Sequence, residues 1–89
     1  MANVIVRKPK PGELEQMGVL RWPIWDKEVS SFPWTYDEPE TFYVLSGKAK
    51  VDVPGGVVEF GEGDLVSFPS GIDVMWHVLK PIKKHYRFG

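Results

Sequence analysis

From Glu40 to the C-terminus, apolar and polar residues alternate in short runs separated by turn signals about every eight residues. Phe42 and Val44 share one face of the first run, and Val74 and Trp76 share one face of a later run. Strict alternation of this kind is typical of half-buried β-strands. Counting the runs over the whole chain predicts about eight short strands.

The first part of the chain is less regular. Val4–Val6 is a β-branched run that predicts a strand, and Glu13–Met17 contains good helix formers that allow one or two turns. Two aromatic segments follow, Arg21–Trp25 and Phe32–Tyr36, and each contains a proline. Because proline cannot donate to a strand ladder, we expect both segments at the edge of a sheet.

The spacing of these elements limits the fold class. The turns are tight and leave no room for crossover helices, so a parallel α/β sheet is excluded and a barrel or double-sheet jelly roll is favoured. We therefore predict a single all-β domain over residues 1–89 with a short N-terminal helical turn. A barrel of this size encloses side chains and at most one small ligand, so we expect any function at its mouth.

Composition narrows the possible partners. The 89 residues include no cysteine, which excludes disulfides and thiolate metal sites, while four Trp, five Phe and three Tyr supply aromatic packing. A formal net charge of −1 gives no field that would attract nucleic acid or an anionic membrane. There is also no apolar run of about 18 residues. We predict neither a nucleic-acid nor a membrane partner, and a cytoplasmic location by default.

Two segments resemble the motifs of the cupin family. In Glu40–Gly47 six residues separate the carboxylate from the turn glycine, as at the end of the first cupin motif. Gly63–Gly71 resembles the second motif, with a glycine, five residues and then Pro-x-Gly. The resemblance implies a small double-stranded β-helix, the RmlC-like cupin jelly-roll barrel. Trp22–Trp25, Phe32–Tyr36 and Lys84–Tyr86 further resemble single-domain cupins of the ureidoglycine aminohydrolase type.

The resemblance also implies a metal site, which this sequence does not complete. Metal-binding cupins carry an H-x-H pair before the motif-one glutamate and a third histidine three residues after the motif-two glycine. Only Glu40 remains of these four ligands, and one carboxylate cannot hold a transition metal. We therefore predict no metal and no cofactor. The histidine positions hold Trp34 and Tyr36 at one permitted spacing, Pro33 and Thr35 at the other, and Val74 in the third slot.

The two histidines of the chain are the remaining candidate metal ligands. On strand alternation His77 points opposite to Val74, and His85 points opposite to Ile82 and Tyr86. This predicts that both lie outside the barrel lumen, although a β-bulge would reverse the direction of either.

The inward positions predict an aromatic cage around one carboxylate. Ring faces attract cations, so the cage suits a cationic or planar small molecule, whereas the alternative is that the rings are simply core. Glu40 either pairs with a base such as Lys83 or Lys84, or is a pocket carboxylate kept for a ligand. The predicted ligand-binding residues are Trp34, Tyr36, Glu40, Phe42, Val74 and Trp76.

Three functions follow from this pocket. The first is metal-independent binding of an unidentified small molecule. The second is an aminohydrolase-like or isomerase-like enzyme, with Glu40 as general acid or base and Tyr36 as a hydrogen-bond donor. The third is a structural or interaction module. A homodimer is also predicted, because the N-terminal segment carries more apolar residues than so small a core needs, namely Ile5, Val6, Trp22, Ile24 and Trp25.

Overall fold

The computed structural model describes residues 3–89, which form seven β-strands, one short α-helix and one turn of 3-10 helix. The chain therefore folds as an all-β domain with the short N-terminal helical turn that the sequence predicts. The elements in chain order are β1 (Ile5–Arg7), α1 (Glu13–Met17), the 3-10 turn (Val19–Arg21), β2 (Ile24–Lys27), β3 (Ser30–Tyr36), β4 (Glu40–Val53), β5 (Gly56–Gly61), β6 (Leu65–Phe68) and β7 (Ile72–Phe88).

Two long strands, β4 and β7, pair with each other and organise the barrel. The first part of β4 also pairs with β6 and its second part with β5. In the same way, the first part of β7 pairs with β3 and its later part with β2. Strand β1 adds to β6, and every pairing is antiparallel. The result is the all-β jelly-roll barrel, in which each long strand pairs with the other long strand and with two shorter ones.

The sequence predicts about eight short strands, but β4 and β7 are each one long, continuous strand. Strands β4 and β7 continue through Gly47 and Pro81, residue types that ordinarily end a strand, and the pairing changes register between Val44 and Ala49. Gly47 has φ 94°, and a Cβ atom there would lie 2.2 Å from the carbonyl oxygen of Pro81. Glycine at this position therefore lets the two long strands cross closely while they bend.

The core fills the barrel with alternate residues of the long strands and their neighbours. Phe42 on β4 packs against Phe60 and Trp76, with ring centroids 5.2 and 5.8 Å apart. The first contact is edge-on, an arrangement that aromatic rings favour, and the second is tilted. The buried cluster comprises Tyr36, Phe42, Val44, Ala49, Val51, Phe60, Val66, Phe68, Val74, Trp76, Val78 and Ile82.

The apolar residues of the N-terminal segment divide into two groups. Ile5 and Ile24 are 47% and 52% exposed, and Val6 is also exposed. Trp25 instead packs edge-on against Phe32 and Trp76, so including it among residues surplus to the core was wrong. The homodimer remains a prediction. Within residues 3–89, neither helix has the length and apolar character needed to cross a bilayer.

Candidate functional site

A cavity of about 470 Å³ opens between β2, β3, the start of β4 and β7. Its wall is mostly aromatic, and its charged side chains come from three different strands. Because each strand contributes alternate residues to this side of the sheet, residues distant in sequence meet around one space. The lining residues are Trp25, Lys27, Phe32, Pro33, Trp34, Tyr36, Glu40, Trp76, Lys84, Tyr86 and Phe88.

A buried ion pair forms the polar part of this cavity. Lys84 Nζ lies 2.9 Å from Glu40 Oε2, and the two side chains are only 5% and 4% exposed. The Tyr36 hydroxyl donates a 2.5 Å hydrogen bond to Glu40 Oε1, so both carboxylate oxygens have a donor. Glu40 is the first residue of β4 and pairs in register with Phe68, whose neighbours form the barrel core.

Aromatic rings surround the ammonium group of Lys84. Its Nζ lies 3.9 Å from the ring centroid of Phe42, 4.6 Å from that of Trp76 and 4.8 Å from that of Trp25. These distances are within the range of cation–π attraction. The aromatic cage therefore contains a cation supplied by the protein itself.

Burial changes the acid–base behaviour of two of these groups. Burial lowers the pKa of Lys84, and the charge and hydrogen bond of Glu40 act in the opposite direction. Burial also raises the pKa of Tyr36, and the adjacent Glu40 carboxylate raises it further. Tyr36 consequently keeps its proton and acts as a donor to Glu40 at neutral pH.

The rim of the cavity is open to solvent. Trp34 is 46% exposed and meets Tyr36 edge-on, with ring centroids 6.4 Å apart. Lys27 Nζ lies 5.5 Å from the ring centroid of Phe32 on another side of the opening. A ligand would therefore pass exposed rings before it reached the buried ion pair.

The predicted ligand-binding set is only partly brought together. Trp34, Tyr36, Glu40 and Trp76 line the cavity. Phe42 and Val74 do not line it, in contrast to the prediction. The Phe42 ring is fully buried against the Lys84 ammonium, and the remaining member, Val74, belongs to the buried cluster.

Sequence reasoning missed seven of the eleven lining residues, of which Lys84 matters most. Lys84 has the same strand parity as Ile82 and Tyr86, so alternation along β7 places it on the inward face. The prediction nevertheless names Lys84 only as one possible ion-pair partner for Glu40, beside Lys83 or another base. The partner is Lys84, whereas Lys83 is exposed. The other six are Trp25, Lys27, Phe32, Pro33, Tyr86 and Phe88.

The donor set does not fit a metal ion. Both Glu40 oxygens already accept hydrogen bonds, and a lysine ammonium occupies the space beside them. Within residues 3–89, no three His, Cys, Asp or Glu side chains are grouped closely enough to hold a metal. A cation placed beside Lys84 would be repelled, so the metal chemistry of other cupins does not transfer to this cavity.

Neither histidine lines the cavity, as strand alternation predicts. His77 Nδ1 lies 2.8 Å from Ser31 Oγ, and its Nε2 donates a 2.9 Å hydrogen bond to Asp52 Oδ2. His85 Nδ1 donates to the backbone carbonyl of Trp22 at 2.9 Å. Both side chains therefore link neighbouring segments of the barrel.

Comparison with known proteins agrees with this architecture. A DUF861 family protein from Thermotoga maritima is 45% identical, with 98% of this chain and 100% of that chain covered and a TM-score of 0.94. The protein assigned as ethanolamine utilization protein Q from Salmonella typhimurium is 23% identical, with a TM-score of 0.68. The EutQ protein from Clostridium difficile is 20% identical, also with a TM-score of 0.68. The last two likenesses show the fold alone.

The extent of these matches differs. The alignment with the Salmonella protein covers 73% of this chain and 53% of that one, and the alignment with the Clostridium protein covers 98% and 68%. Among curated proteins, none is significantly similar to the chain.

Residues 14–86 match the EutQ-like cupin domain, and the chain belongs to this family. The predicted cupin fold is thus confirmed, while the narrower grouping with aminohydrolase-type cupins stays a prediction.

Proposed function

We propose that the protein binds a small, planar, uncharged molecule with a carbonyl group in the aromatic cavity, without a metal. The observation that carries this proposal is the buried Lys84–Glu40 pair among the lining rings. A lysine ammonium has three N–H donors, and Glu40 Oε2 accepts one of them. The remaining donors lie among ring faces, so a carbonyl oxygen entering the cavity would supply an acceptor that the rings do not.

The charge balance favours an uncharged ligand. Glu40 and Lys84 neutralise each other, so the buried part of the cavity has no net charge to offset that of an ion. Moving an unpaired charge into such surroundings is costly. The aromatic walls instead offer flat apolar surfaces, and a volume of about 470 Å³ is within the range of small-molecule sites.

A cationic ligand is the alternative that the rings alone would favour. The Salmonella relative is assigned to ethanolamine utilization, and ethanolamine is protonated at neutral pH. In this chain, however, Lys84 already occupies the position over Phe42 and Trp76. A second cation would meet repulsion there, so we propose an uncharged ligand instead of an amine.

The resemblance to aminohydrolase-type cupins supports an enzyme as a second candidate. Tyr36 and Glu40 are joined by a short hydrogen bond beside the cavity, which suits acid–base chemistry. Both oxygens of the carboxylate are nevertheless engaged, and Glu40 would act as a base only after Lys84 or Tyr36 moved or gave up a proton. Binding therefore requires fewer additional steps than hydrolysis.

Thermal melting and calorimetric titration with three matched probes test the binding proposal. Benzamide, benzylamine and benzoate share a ring and differ in charge, and we expect benzamide to bind best. Trp34→Ala removes an exposed ring of the rim and should weaken benzamide binding about fivefold. Trp22→Ala is the matched control, because Trp22 does not line the cavity. Preferential binding of benzylamine, or equal weakening by both substitutions, would contradict the proposal.

A further inference from the structure

We propose that Lys84 is a nucleophile that forms a reversible imine with an aldehyde or ketone in the aromatic cavity. This inference rests on the proposed function, since the carbonyl compound must enter the same cavity. It adds a covalent step to binding and assigns a chemical role to the one charged pair buried among residues 3–89.

The placement of Lys84 distinguishes it from the neighbouring lysines. Lys80 and Lys83 on the same strand are exposed, as is normal for this residue type. The Lys84 side chain is 5% exposed, and it lines the cavity. A molecule in the cavity would therefore meet the amine of Lys84 before that of any neighbouring lysine on β7.

Stability alone gives no reason for this pair. Removing two charges from water costs free energy that their attraction often fails to recover, so apolar residues of similar size would fill the same space at least as well. The surrounding rings could readily pack against such residues, because they already form part of the barrel core. A buried lysine in an apolar cavity is instead the arrangement that activates an amine for attack on a carbonyl group.

The geometry supplies a proton acceptor for the activation step. Glu40 Oε2 lies 2.9 Å from Lys84 Nζ, so one proton can pass along an existing hydrogen bond. Burial lowers the pKa of Lys84 and so favours the uncharged amine. The transfer produces a neutral amine and a neutral carboxylic acid, which removes both charges from the apolar surroundings. Tyr36 holds the other carboxylate oxygen in place throughout.

The covalent step balances without any further reactant. The nitrogen lone pair of Lys84 attacks the carbonyl carbon, a C–N bond forms, and the carbonyl oxygen takes the proton held by Glu40. The carboxylate then accepts a proton from the nitrogen and returns it to the hydroxyl group, which leaves as water while C=N forms. Of the three ammonium hydrogens, two leave in water and one stays on the protonated imine.

The product keeps the electrostatic arrangement of the free protein. A protonated imine carries the same single positive charge as the ammonium that it replaces. It remains beside the Glu40 carboxylate and over the rings of Phe42 and Trp76, which stabilise a cation. The apolar wall limits access of water, so hydrolysis of the imine is slowed.

Reductive trapping on the full chain tests the inference. The protein is incubated with benzaldehyde and sodium cyanoborohydride, and the benzylated residues are identified by intact mass measurement and peptide mapping. We expect Lys84 to be labelled about tenfold faster than any exposed lysine, because a carbonyl compound bound in the cavity is held beside this amine. Lys84→Arg should abolish the fast adduct, whereas Lys83→Arg should leave it unchanged.

Binding of benzamide, which cannot form an imine under these conditions, is measured in parallel. Mapping is done on the wild-type chain, so the result does not depend on whether Lys84→Arg folds. Labelling of exposed lysines without Lys84, with benzamide still bound, would overturn the imine and leave the binding function standing. If neither the Lys84 adduct nor benzamide binding is found, the imine and the binding function are both overturned. A fast Lys84 adduct without benzamide binding would support the imine and remove the non-covalent function.

Discussion

The interior of the barrel has two regions that bury their residues in different ways. The first, the aliphatic region, lies along the middle of the β4–β7 ladder and consists of residues that are at most 2% exposed: Val44, Ala49, Val51, Val78 and Ile82. The second, the aromatic region, surrounds the Glu40–Lys84 pair with Trp25, Phe32, Tyr36 and Trp76 and adjoins the cavity of about 470 Å³.

The two regions differ in what the burial of their residues contributes to stability. The aliphatic region gains stability simply by removing apolar surface from water, and its residue types are interchangeable at similar volume. The aromatic region places a charged pair in low-dielectric surroundings, where an apolar core would be at least as stable. A feature that stability does not require, located beside a cavity, indicates a functional site.

The largest expected effect comes from breaking the buried pair on one side. Lys84→Met keeps an unbranched side chain that is one atom shorter, but it leaves the Glu40 carboxylate buried with only the Tyr36 hydroxyl as a partner. We expect the free energy of unfolding in urea to fall by about 3–5 kcal/mol. The control is the triple variant Tyr36→Phe/Glu40→Leu/Lys84→Met, in which no polar group is stranded and most of the loss should be recovered. A triple variant as unstable as Lys84→Met would show that the pair is needed for stability.

Beside the aliphatic region, Gly47 is the glycine at which an added side chain would meet the closest obstacles. Gly47→Ala would place a Cβ atom 2.2 Å from the Pro81 carbonyl oxygen and 2.6 Å from Ile82 Cα, at a residue with φ 94°. Because both obstacles are backbone atoms, we expect a loss of about 3 kcal/mol in urea unfolding. Gly56→Ala is the control, since a Cβ atom there meets nothing within 4 Å. Equal effects of the two substitutions would contradict the close crossing of β4 and β7.

A smaller effect should follow from removing the hydroxyl that holds Glu40. Tyr36→Phe deletes a hydrogen bond to a charged group, and we expect a loss of about 2 kcal/mol at neutral pH. Burial raises the pKa of Tyr36 above its ordinary value of 10.0, so above pH 10.0 the unfolded state loses this proton while the folded state keeps it. Stability due to this group is therefore complete below that pH and declines above it.

The difference between wild type and Tyr36→Phe should accordingly stay constant below pH 10.0 and narrow above it. Urea unfolding of both proteins over this range measures the difference directly. Tyr43→Phe, a substitution outside the cavity, serves as the control for loss of a tyrosine hydroxyl. A difference that widens in alkali would mean that the Tyr36 hydroxyl is not in the buried site described here.

The sequence predicts the fold well because alternation and turn residues are local signals. The strands around Phe42 and Trp76 and the helical turn at Glu13–Met17 all follow from neighbouring residues. The continuity of β4 and β7 was missed, because Gly47 and Pro81 break the local pattern while long-range pairing carries the strands through.

The candidate site was predictable only in part, because it is assembled by pairing between distant strands. Glu40 and Lys84 are 44 residues apart, and only the register of β4 with β7 brings them together. Trp25 enters the cavity through the pairing of β2 with β7, in which it lies opposite Lys84. Alternation along β7 directs Lys84 inward and Lys83 outward, but it does not show which acidic side chain Lys84 meets.

Benzamide titration of the triple variant Tyr36→Phe/Glu40→Leu/Lys84→Met tests most directly whether the buried pair serves a ligand instead of the fold. The substitutions keep the aromatic rings of the cavity. They remove Glu40 and Lys84, the only buried charged side chains that line it among residues 3–89. We predict an unfolding free energy within about 1 kcal/mol of wild type and loss of benzamide binding. Wild-type affinity in a stable triple variant would contradict the account.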